Sequence, residues 1–557
     1  MSRFFTELAE SLKSSRLNEL GISSPFTIPS GIVTTVPSVV AKIAGEVPEI
    51  GFLTTKTISV EPRIGYREPI LHEYYPGCFV NAVGLANPGA KVFRAAMEPL
   101  LPLSEKKPLI VSVMGASAEE FAECAEIVSP IADALELNFS CPHVKGAGQS
   151  IGSDPDAVRS IIQLLRKRTD KPLIPKLSPN LGNISAMASL CQGAGADALT
   201  LINTVGPGVV TDTAGRPVLT NVAGGMSGAG VLPIGIKAVR EAAEVVSIPI
   251  IACGGITSAD DVRSYRRAGA TLFGVGSALA GMTTPEIASY FSDLVQSLET
   301  DTGRTSPRTS FPAHKRTEYV STVVRDVRSA GGNLFRVELE DGHGCDPGRF
   351  FFLRLAGVGE KPFSPASDDP AVYYVRTVGP FTEALSRLQP GDEIQYRGPY
   401  GKGFLQLADA DRVVLLAGGT GAAPTGMAGK ILKDAVVRSY IGFSAQVEPW
   451  LQEELAASHP ALSIVTDPPG NPGEVVRRLT RDLEDQPGLF RGCVMFMCGP
   501  GPMMRAAVEV VTRVAPDLRI YTAREDIMRC GIGICGSCGT PSGYRSCVDG
   551  PVMAPDF

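Results

Sequence analysis

Four cysteines near the C-terminal end, Cys530, Cys535, Cys538 and Cys547, follow the spacing C-x4-C-x2-C-x8-C. Three thiolates on one tight loop and a fourth from the segment behind it can hold iron or zinc. A four-cysteine zinc knuckle usually comes as two C-x2-C pairs, whereas C-x4-C-x2-C with a distant fourth cysteine is the plant-type ferredoxin spacing of a [2Fe–2S] cluster. The chain has five histidines and none stands near these cysteines, so a mixed cysteine and histidine zinc site is excluded here. Glycines at 531, 533, 536 and 539 let the main chain fold over the sulfurs without a Cβ in the way. The spacing predicts a cluster, with zinc as the alternative. A cluster implies electrons, with a source and a sink elsewhere in the chain. On spacing alone the other eight cysteines read as small buried hydrophobes.

A second set of chemistry-bearing residues falls in the first 300. FTIPSGI, FLTTKTIS, LIVSVMG, ALELNFS, LIPKLS, ALTLINT, PIIACGG and LFGVGSA are eight short apolar runs, separated by helical stretches such as SAEEFAECAEIV and DDVRSYRRAG. Eight such units in this length predict an α/β TIM barrel, whose active site sits at the C-terminal ends of the strands. Lys56, Asn138 with Ser140 and Cys141, Lys176, Asn203 with Thr204, Gly254 with Gly255, and Gly276 with Ser277 all stand at such ends. The last two pairs end strands seven and eight, where barrels often bind a phosphate through backbone N–H groups. A lysine at a strand end suits the anion that develops on a flavin ring during hydride uptake, or serves as a plain salt-bridge partner.

Between 318 and 403, segments such as NLFRVELE, RFFFLRLA and AVYYVRTV alternate polar and apolar residues between Gly/Pro turns, the pattern of an antiparallel barrel or sandwich. From 412, VVLLAGGTGAAPTGMAGKIL reads as a buried strand, a glycine turn and a helix. The strands VRSYIGF, ALSIVTD and CVMFMCGPGP follow, as in a parallel nucleotide-binding sheet. Alone, GGTGAAP is a weak signal. The net charge of −6 offers no basic footprint for nucleic acid. The opening MSRFFTELAESLKSSRL has no apolar core of a secretory signal, and no run of eighteen apolar residues occurs, so a cytoplasmic protein without a membrane span is expected.

The order of these motifs carries a resemblance. KPFSPAS (361–367), RGPYGKGF (397–404), GGTGAAP (418–424) and CGPGPMM (498–504), followed by the four cysteines, resemble the ferredoxin-reductase superfamily. The likeness is strongest to the electron-transfer subunit of the NAD-linked (class 1B) dihydroorotate dehydrogenases. KTISVEPRIGYREP, NAVGLANPG, LELNFSCPH, PKLSPN, LTLINTVGPG, GGMSGAG, ACGGI and GVGSAL look like the catalytic subunit of class 1 dihydroorotate dehydrogenases, over nearly all of residues 20–300.

The resemblance implies oxidation of dihydroorotate to orotate in pyrimidine biosynthesis, with electrons passing from FMN through the [2Fe–2S] cluster and FAD to NAD. It implies Cys141 as the catalytic base. Lys56, Asn81, Gly84, Leu85, Asn138, Asn203 and Thr204 would bind substrate. Lys56, Asn138, Lys176, Gly228, Gly254, Gly255, Gly276 and Ser277 would bind FMN. FAD would meet Lys361, Pro362, Phe363 and Ser364, where the family's arginine fork has become a lysine point charge, together with Gly379 and Thr382. Gly418, Gly419, Thr420 and Gly421 would approach nucleotide phosphates, and Cys498 would border the nicotinamide. A homodimer through the barrel is expected by the same resemblance.

The expected organisation is an FMN-binding barrel (1–300), a linker (301–317), an FAD-binding β-barrel (318–408), an NAD-binding α/β domain (409–520) and a cluster domain (521–557). One departure stands out: His143 occupies a position where the family usually has asparagine. The dihydropyrimidine dehydrogenases share a Cys-Pro-His there, so uracil or thymine reduction is the runner-up activity, although those enzymes draw electrons from a differently built reductase. A non-catalytic electron carrier or redox sensor is the third reading, opposed by retention of Cys141, both lysines and the asparagines.

Overall fold

The runs LIVSV, ALELN and LIPKL are buried along their whole length, the pattern of strands covered on both faces. The computed structural model describes residues 12, 15–139, 149–300, 317–344, 347–404, 407 and 410–557. They divide into two compact units, residues 1–318 with 532–544, and residues 319–531 with 545–557.

In the first unit twelve strands are described: β1 (Phe26–Thr27), β2 (Leu53–Thr54), β3 (Leu71–Tyr75), β4 (Cys78–Asn81), β5 (Leu109–Val113), β6 (Ala134–Asn138), β7 (Leu173–Leu177), β8 (Leu199–Leu201), β9 (Val205–Val209), β10 (Ala223–Gly228), β11 (Ile250–Cys253) and β12 (Leu272–Gly274). Eight of them form one parallel sheet in the order β1-β12-β11-β8-β7-β6-β5-β2, and a parallel bridge from Phe26 to Ile50 spans its two edges. The sheet is a nearly closed TIM barrel, and its eight strands coincide with the eight apolar runs of the sequence.

Alternation along the strands sorts the interior into layers. Ile110, Ala134, Ile174, Ala198, Ile251 and Leu272 form an apolar layer closed below by Leu12 and Leu17. Two residues further along the same strands stand Ser112, Glu136, Lys176, Thr200, Cys253 and Gly274. The outward residues between them, such as Val111, Leu135 and Leu199, pack on the surrounding helices. The remaining four strands make an antiparallel sheet, β3-β4-β10-β9, which is not among the eight strands expected from the sequence.

Residues 521–557, read from the sequence as one cluster domain, are divided between the units. The segment 532–544 sits on the barrel. Val33 N–H donates to the Ile534 carbonyl at 2.8 Å, Gly281 N–H to Ile532 at 2.6 Å, Thr35 Oγ1 to Cys535 at 2.7 Å and Ser38 Oγ to Thr540 at 2.7 Å. Lys42 of helix Pro37–Glu46 lies 3.9 Å over the Tyr544 ring.

The second unit has thirteen described strands: β13 (Val320–Gly331), β14 (Leu334–Leu339), β15 (Phe350–Leu355), β16 (Gly359–Phe363), β17 (Ser367–Asp368), β18 (Ala371–Arg376), β19 (Glu393–Tyr400), β20 (Val413–Gly418), β21 (Val436–Phe443), β22 (Leu462–Thr466), β23 (Val494–Cys498), β24 (Arg519–Ala523) and β25 (Val552–Met553). The first seven form a seven-stranded sheet whose described pairings are all antiparallel, and the last six a sheet ordered β22-β21-β20-β23-β24-β25. Pairing in the latter is parallel except at β25. Among the described residues no helix is long and apolar enough to cross a membrane.

Gly536 has φ +65° and a Cβ there would lie 2.3 Å from the Val33 carbonyl oxygen. Gly536→Ala is expected to loosen the seat of 532–544 by more than about 1 kcal/mol. Hydrogen exchange at the Val33 amide should then quicken about fivefold or more.

Candidate active site

The polar layer of the barrel is arranged around Glu136 of β6, which is 3% exposed. Ser112 Oγ donates to its Oε1 at 2.9 Å and Thr200 Oγ1 to its Oε2 at 3.1 Å, while Lys176 Nζ lies 3.6 Å from Oε1. The network continues: Ser112 Oγ and Thr57 Oγ1 share a hydrogen bond at 3.0 Å, Asn138 Nδ2 donates to Thr57 Oγ1 at 3.0 Å, and Ser30 Oγ meets Thr57 at 3.0 Å. A buried carboxylate needs such partners, because desolvation without them costs several kcal/mol. The sequence reading missed Glu136, although the two-residue period that turns Asn138 inward turns Glu136 inward as well.

At the C-terminal ends of the strands a cavity opens, lined by Lys56, Asn81, Gly84, Leu85, Asn138, Lys176, Asn203, Thr204, Gly228, Gly254, Gly255, Gly276 and Ser277. These are all the barrel positions marked from sequence except Cys141, which lies outside the described residues with Ser140 and His143. The antiparallel sheet positions part of the wall: Asn81 at the end of β4 donates through Nδ2 to Gly225 of β10 at 3.2 Å. Asn203 Oδ1 accepts from the Thr204 amide at 2.8 Å.

Gly84 and Leu85 are both left-handed, at φ +72° and +57°. For leucine that conformation costs roughly 1–2 kcal/mol, and strain of this sort concentrates at ligand clamps. Gly254 and Gly255, at φ +113° and +79°, follow β11 directly. Tyr265, unmarked in the sequence reading, donates from its buried hydroxyl to the Gly254 carbonyl at 2.6 Å and fixes that turn. Cys253 also lines the cavity. Burial pushes its thiol up to about 12, with the charge of Lys176 opposing and that of Glu136 adding. Ile534 and Cys535, from the segment seated on the barrel, complete the wall.

The second unit has two clefts of its own. One is lined by Lys361, Pro362, Phe363, Ser364, Thr382, Thr420 and Cys498, together with Arg376, Arg524 and Glu525. The other takes in Gly418, Gly419 and Thr420 with Phe443, Asp467, Arg477 and again Arg376 and Glu525. Burial raises the Glu525 carboxyl above its ordinary range, opposed by Arg376. It also raises the Cys498 thiol well above its ordinary value. Gly379 and Gly421 line neither cleft. The Gly379 amide donates to Thr382 Oγ1 at 3.2 Å. Gly421 is a packing glycine whose Cβ would fall 2.1 Å from the Cys498 carbonyl oxygen. Arg376, Arg524 and Glu525 were not marked from sequence, where they look like charged residues after strands.

Residues 13–295 match the family described as dihydroorotate dehydrogenase. The chain belongs to the dihydroorotate dehydrogenase family. It is an oxidoreductase of that family. Residues 525–556 match the iron-sulfur cluster binding domain of dihydroorotate dehydrogenase B. The chain is 40% identical over 264 residues to the catalytic subunit of dihydroorotate dehydrogenase B (NAD(+)) from Thermococcus kodakarensis, covering 47% of this chain and 85% of that one. It is 42% identical over 231 residues to the like-named subunit of Methanothermobacter thermautotrophicus, covering 41% and 75%. A solved dihydroorotate dehydrogenase from Eimeria tenella, in complex with ferulenol, superposes with a TM-score of 0.44 at 20% identity, over 52% of this chain and 85% of that one.

The residues present suit the groups this family implies. The glycine turns after β11 and β12 present main-chain N–H groups of the kind that hold a phosphate, and two buried lysines give the cavity positive charge. Cys530, Cys535, Cys538 and Cys547 are 1%, 8%, 2% and 1% exposed. Gly531, Gly533 and Gly536 between the first three take positive φ, which sulfur-enclosing turns require.

Lys176→Met should leave the Glu136 carboxylate inside the barrel without its cation. Removing one partner of a buried pair costs about 3–5 kcal/mol, so unfolding of the barrel in urea should occur at lower denaturant than in the parent, and adding Glu136→Gln should restore part of the difference. Cys253 gives a pH test. Its folded value lies above the roughly 8.5 of an unfolded thiol, so its contribution to stability is complete below about 8.5 and declines as pH rises from there toward 12. At pH 9 native protein should resist iodoacetamide at Cys253, read by mass spectrometry, whereas urea-unfolded protein is alkylated.

Proposed function

We propose that this chain oxidises dihydroorotate to orotate with NAD+ as final acceptor, with a catalytic barrel and an FAD/[2Fe–2S] electron-transfer part joined in one polypeptide. The observation that carries the reading is the barrel cavity, which gathers two lysines, three asparagines and two threonines beside a wall segment bearing Cys535. Bound FMN would supply the hydride acceptor, the [2Fe–2S] cluster a one-electron relay, and FAD the exit to NAD+.

The chain's own residues bind and orient. A dihydropyrimidine ring presents amide edges, and Asn81, Asn138, Asn203 and Thr204 offer donors and acceptors to match them. Asn81 and Asn203 are held by hydrogen bonds to main chain, so their amide groups are set before substrate arrives. Lys56 and the N–H groups of the strained Gly84–Leu85 turn receive the carboxylate. Lys176, anchored by Glu136, brings positive charge to the flavin site. Cys141 is assigned the proton at C5 on the sequence argument. In the second unit, Lys361–Ser364 and Thr382 are assigned to FAD, Gly418–Thr420 to NAD, and Cys498 to the border of the nicotinamide. The ferredoxin-reductase-like architecture assigned to 318–520 is supported by an antiparallel sheet followed by a mainly parallel one, with clefts lined by the expected motifs.

The test is anaerobic turnover of the purified chain with dihydroorotate, dihydrouracil and dihydrothymine, following NAD reduction. Reduction with dihydroorotate alone is expected. Preference for either uncharged ring would replace the reading with a dihydropyrimidine dehydrogenase. Cys535→Ser should remove the visible absorption of the cluster and NAD-linked turnover while dihydroorotate still reduces dyes. NAD-linked turnover without a cluster would break the proposed order of carriers.

A further inference from the structure

The second unit buries a charge cluster outside both clefts. Arg397 of β19 and Glu360 of β16 have no exposed side-chain surface. Arg397 Nε donates to Glu360 Oε2 at 2.9 Å and Nη2 to Oε1 at 2.5 Å, a bidentate fork. Tyr319 Oη donates to the same Oε2 at 2.7 Å. The remaining nitrogen, Nη1, donates to Tyr400 Oη at 2.8 Å and to the carbonyl oxygen of Cys530 at 2.9 Å. The rings of Phe352 and Tyr400 stand 4.0 and 5.2 Å from the guanidinium carbon. Gly531 packs on the same two rings, since a Cβ there would lie 3.1 Å from Phe352 and 3.2 Å from Tyr400.

A buried ion pair is weak evidence for stability, because apolar residues of the same volume often serve as well. What apolar residues cannot do is donate to the Cys530 carbonyl and bring a full positive charge to the residue whose thiol is read as a ligand. We propose that Arg397 is a positioning residue for the [2Fe–2S] cluster, holding Cys530 by its carbonyl and biasing the cluster toward its reduced form, with Glu360 as the counter-charge that limits the bias. This rests on the reading of the four cysteines as cluster ligands. Reduction adds one electron to the cluster, so a nearby cation favours the reduced state and a nearby anion the oxidised one; cluster potentials respond to such charge and to hydrogen bonding. Arg397→Met takes from Glu360 its forked counter-charge and leaves buried Arg354, its cross-strand neighbour on β15, as the cation beside it, whereas Glu360→Gln takes from Arg397 the carboxylate it is paired with. The two substitutions act with opposite sign.

The experiment is an anaerobic redox titration of the full-length holoenzyme, reading the paramagnetic resonance of the reduced cluster. Relative to the parent, Arg397→Met should disfavour reduction by tenfold or more and Glu360→Gln should favour it by tenfold or more, each tenfold being 59 mV for one electron. Arg397→Lys keeps the charge and should stay within threefold. Tyr319→Phe strips one donor from Glu360 without moving a charge, and should disfavour reduction about threefold; it carries the test if Arg397→Met does not accumulate. Shifts of the same sign in Arg397→Met and Glu360→Gln, or none beyond threefold, would overturn the inference while the cluster reading stands, as would no downward shift in Tyr319→Phe. A parent protein without the cluster's resonance and absorption would overturn the cluster reading and this inference together.

Discussion

A carboxylate in the middle of a nearly closed barrel is the constraint on which the first unit depends. Glu136 is buried, and its charge is tolerable because nearby strands deliver partners to it: Ser112 from β5, Lys176 from β7 and Thr200 from β8. β5 and β7 flank β6 in the sheet and β8 lies next beyond β7. A slip of one residue in any of them would turn the partner outward. One carboxylate therefore holds the register of four strands. Through Ser112 and Thr57 the same network reaches Asn138, so the floor of the cavity and two of its functional side chains belong to one hydrogen-bonded body.

The second unit solves a like problem differently. Glu360 takes a bidentate guanidinium and a tyrosine hydroxyl where Glu136 takes two hydroxyls and a more distant ammonium. The fork leaves one arginine nitrogen for other work, and that nitrogen faces main chain next to a cysteine. A lysine point charge has no fixed geometry with which to divide its bonds this way.

Much of the barrel was legible because a parallel strand buried on both faces must be apolar, so polar residues and glycines gather at its ends, where the chemistry is. Lys56, Asn138, Lys176 and Gly254 stand out in sequence for that reason. Glu136 did not, because one acidic residue inside ALELN looks like an interruption of the strand. The sheet β3-β4-β10-β9 was illegible since VGPGV and AGGMSG carry glycine and proline where strand formers are expected. Tyr265 acts on Gly254 from a helix eleven residues on, a contact no local pattern encodes. The division of 521–557 between the units depends on hydrogen bonds between residues about 500 positions apart, such as Thr35 with Cys535.

That last contact bears on how the protein is made. The barrel's final wall segment, 532–544, leaves the ribosome only after the whole of 319–531 has been synthesised. At roughly 5–20 residues per second this is an interval of about 10 to 40 seconds. Throughout it the strands can pair and the Glu136 network can close, while the surface that Ile534 and Cys535 will cover, along Val33, Thr35 and Ser38, stands open to water. The cavity at the strand ends is thus the last part of the barrel to be walled, and its closing is coupled to the arrival of two of the four cysteines.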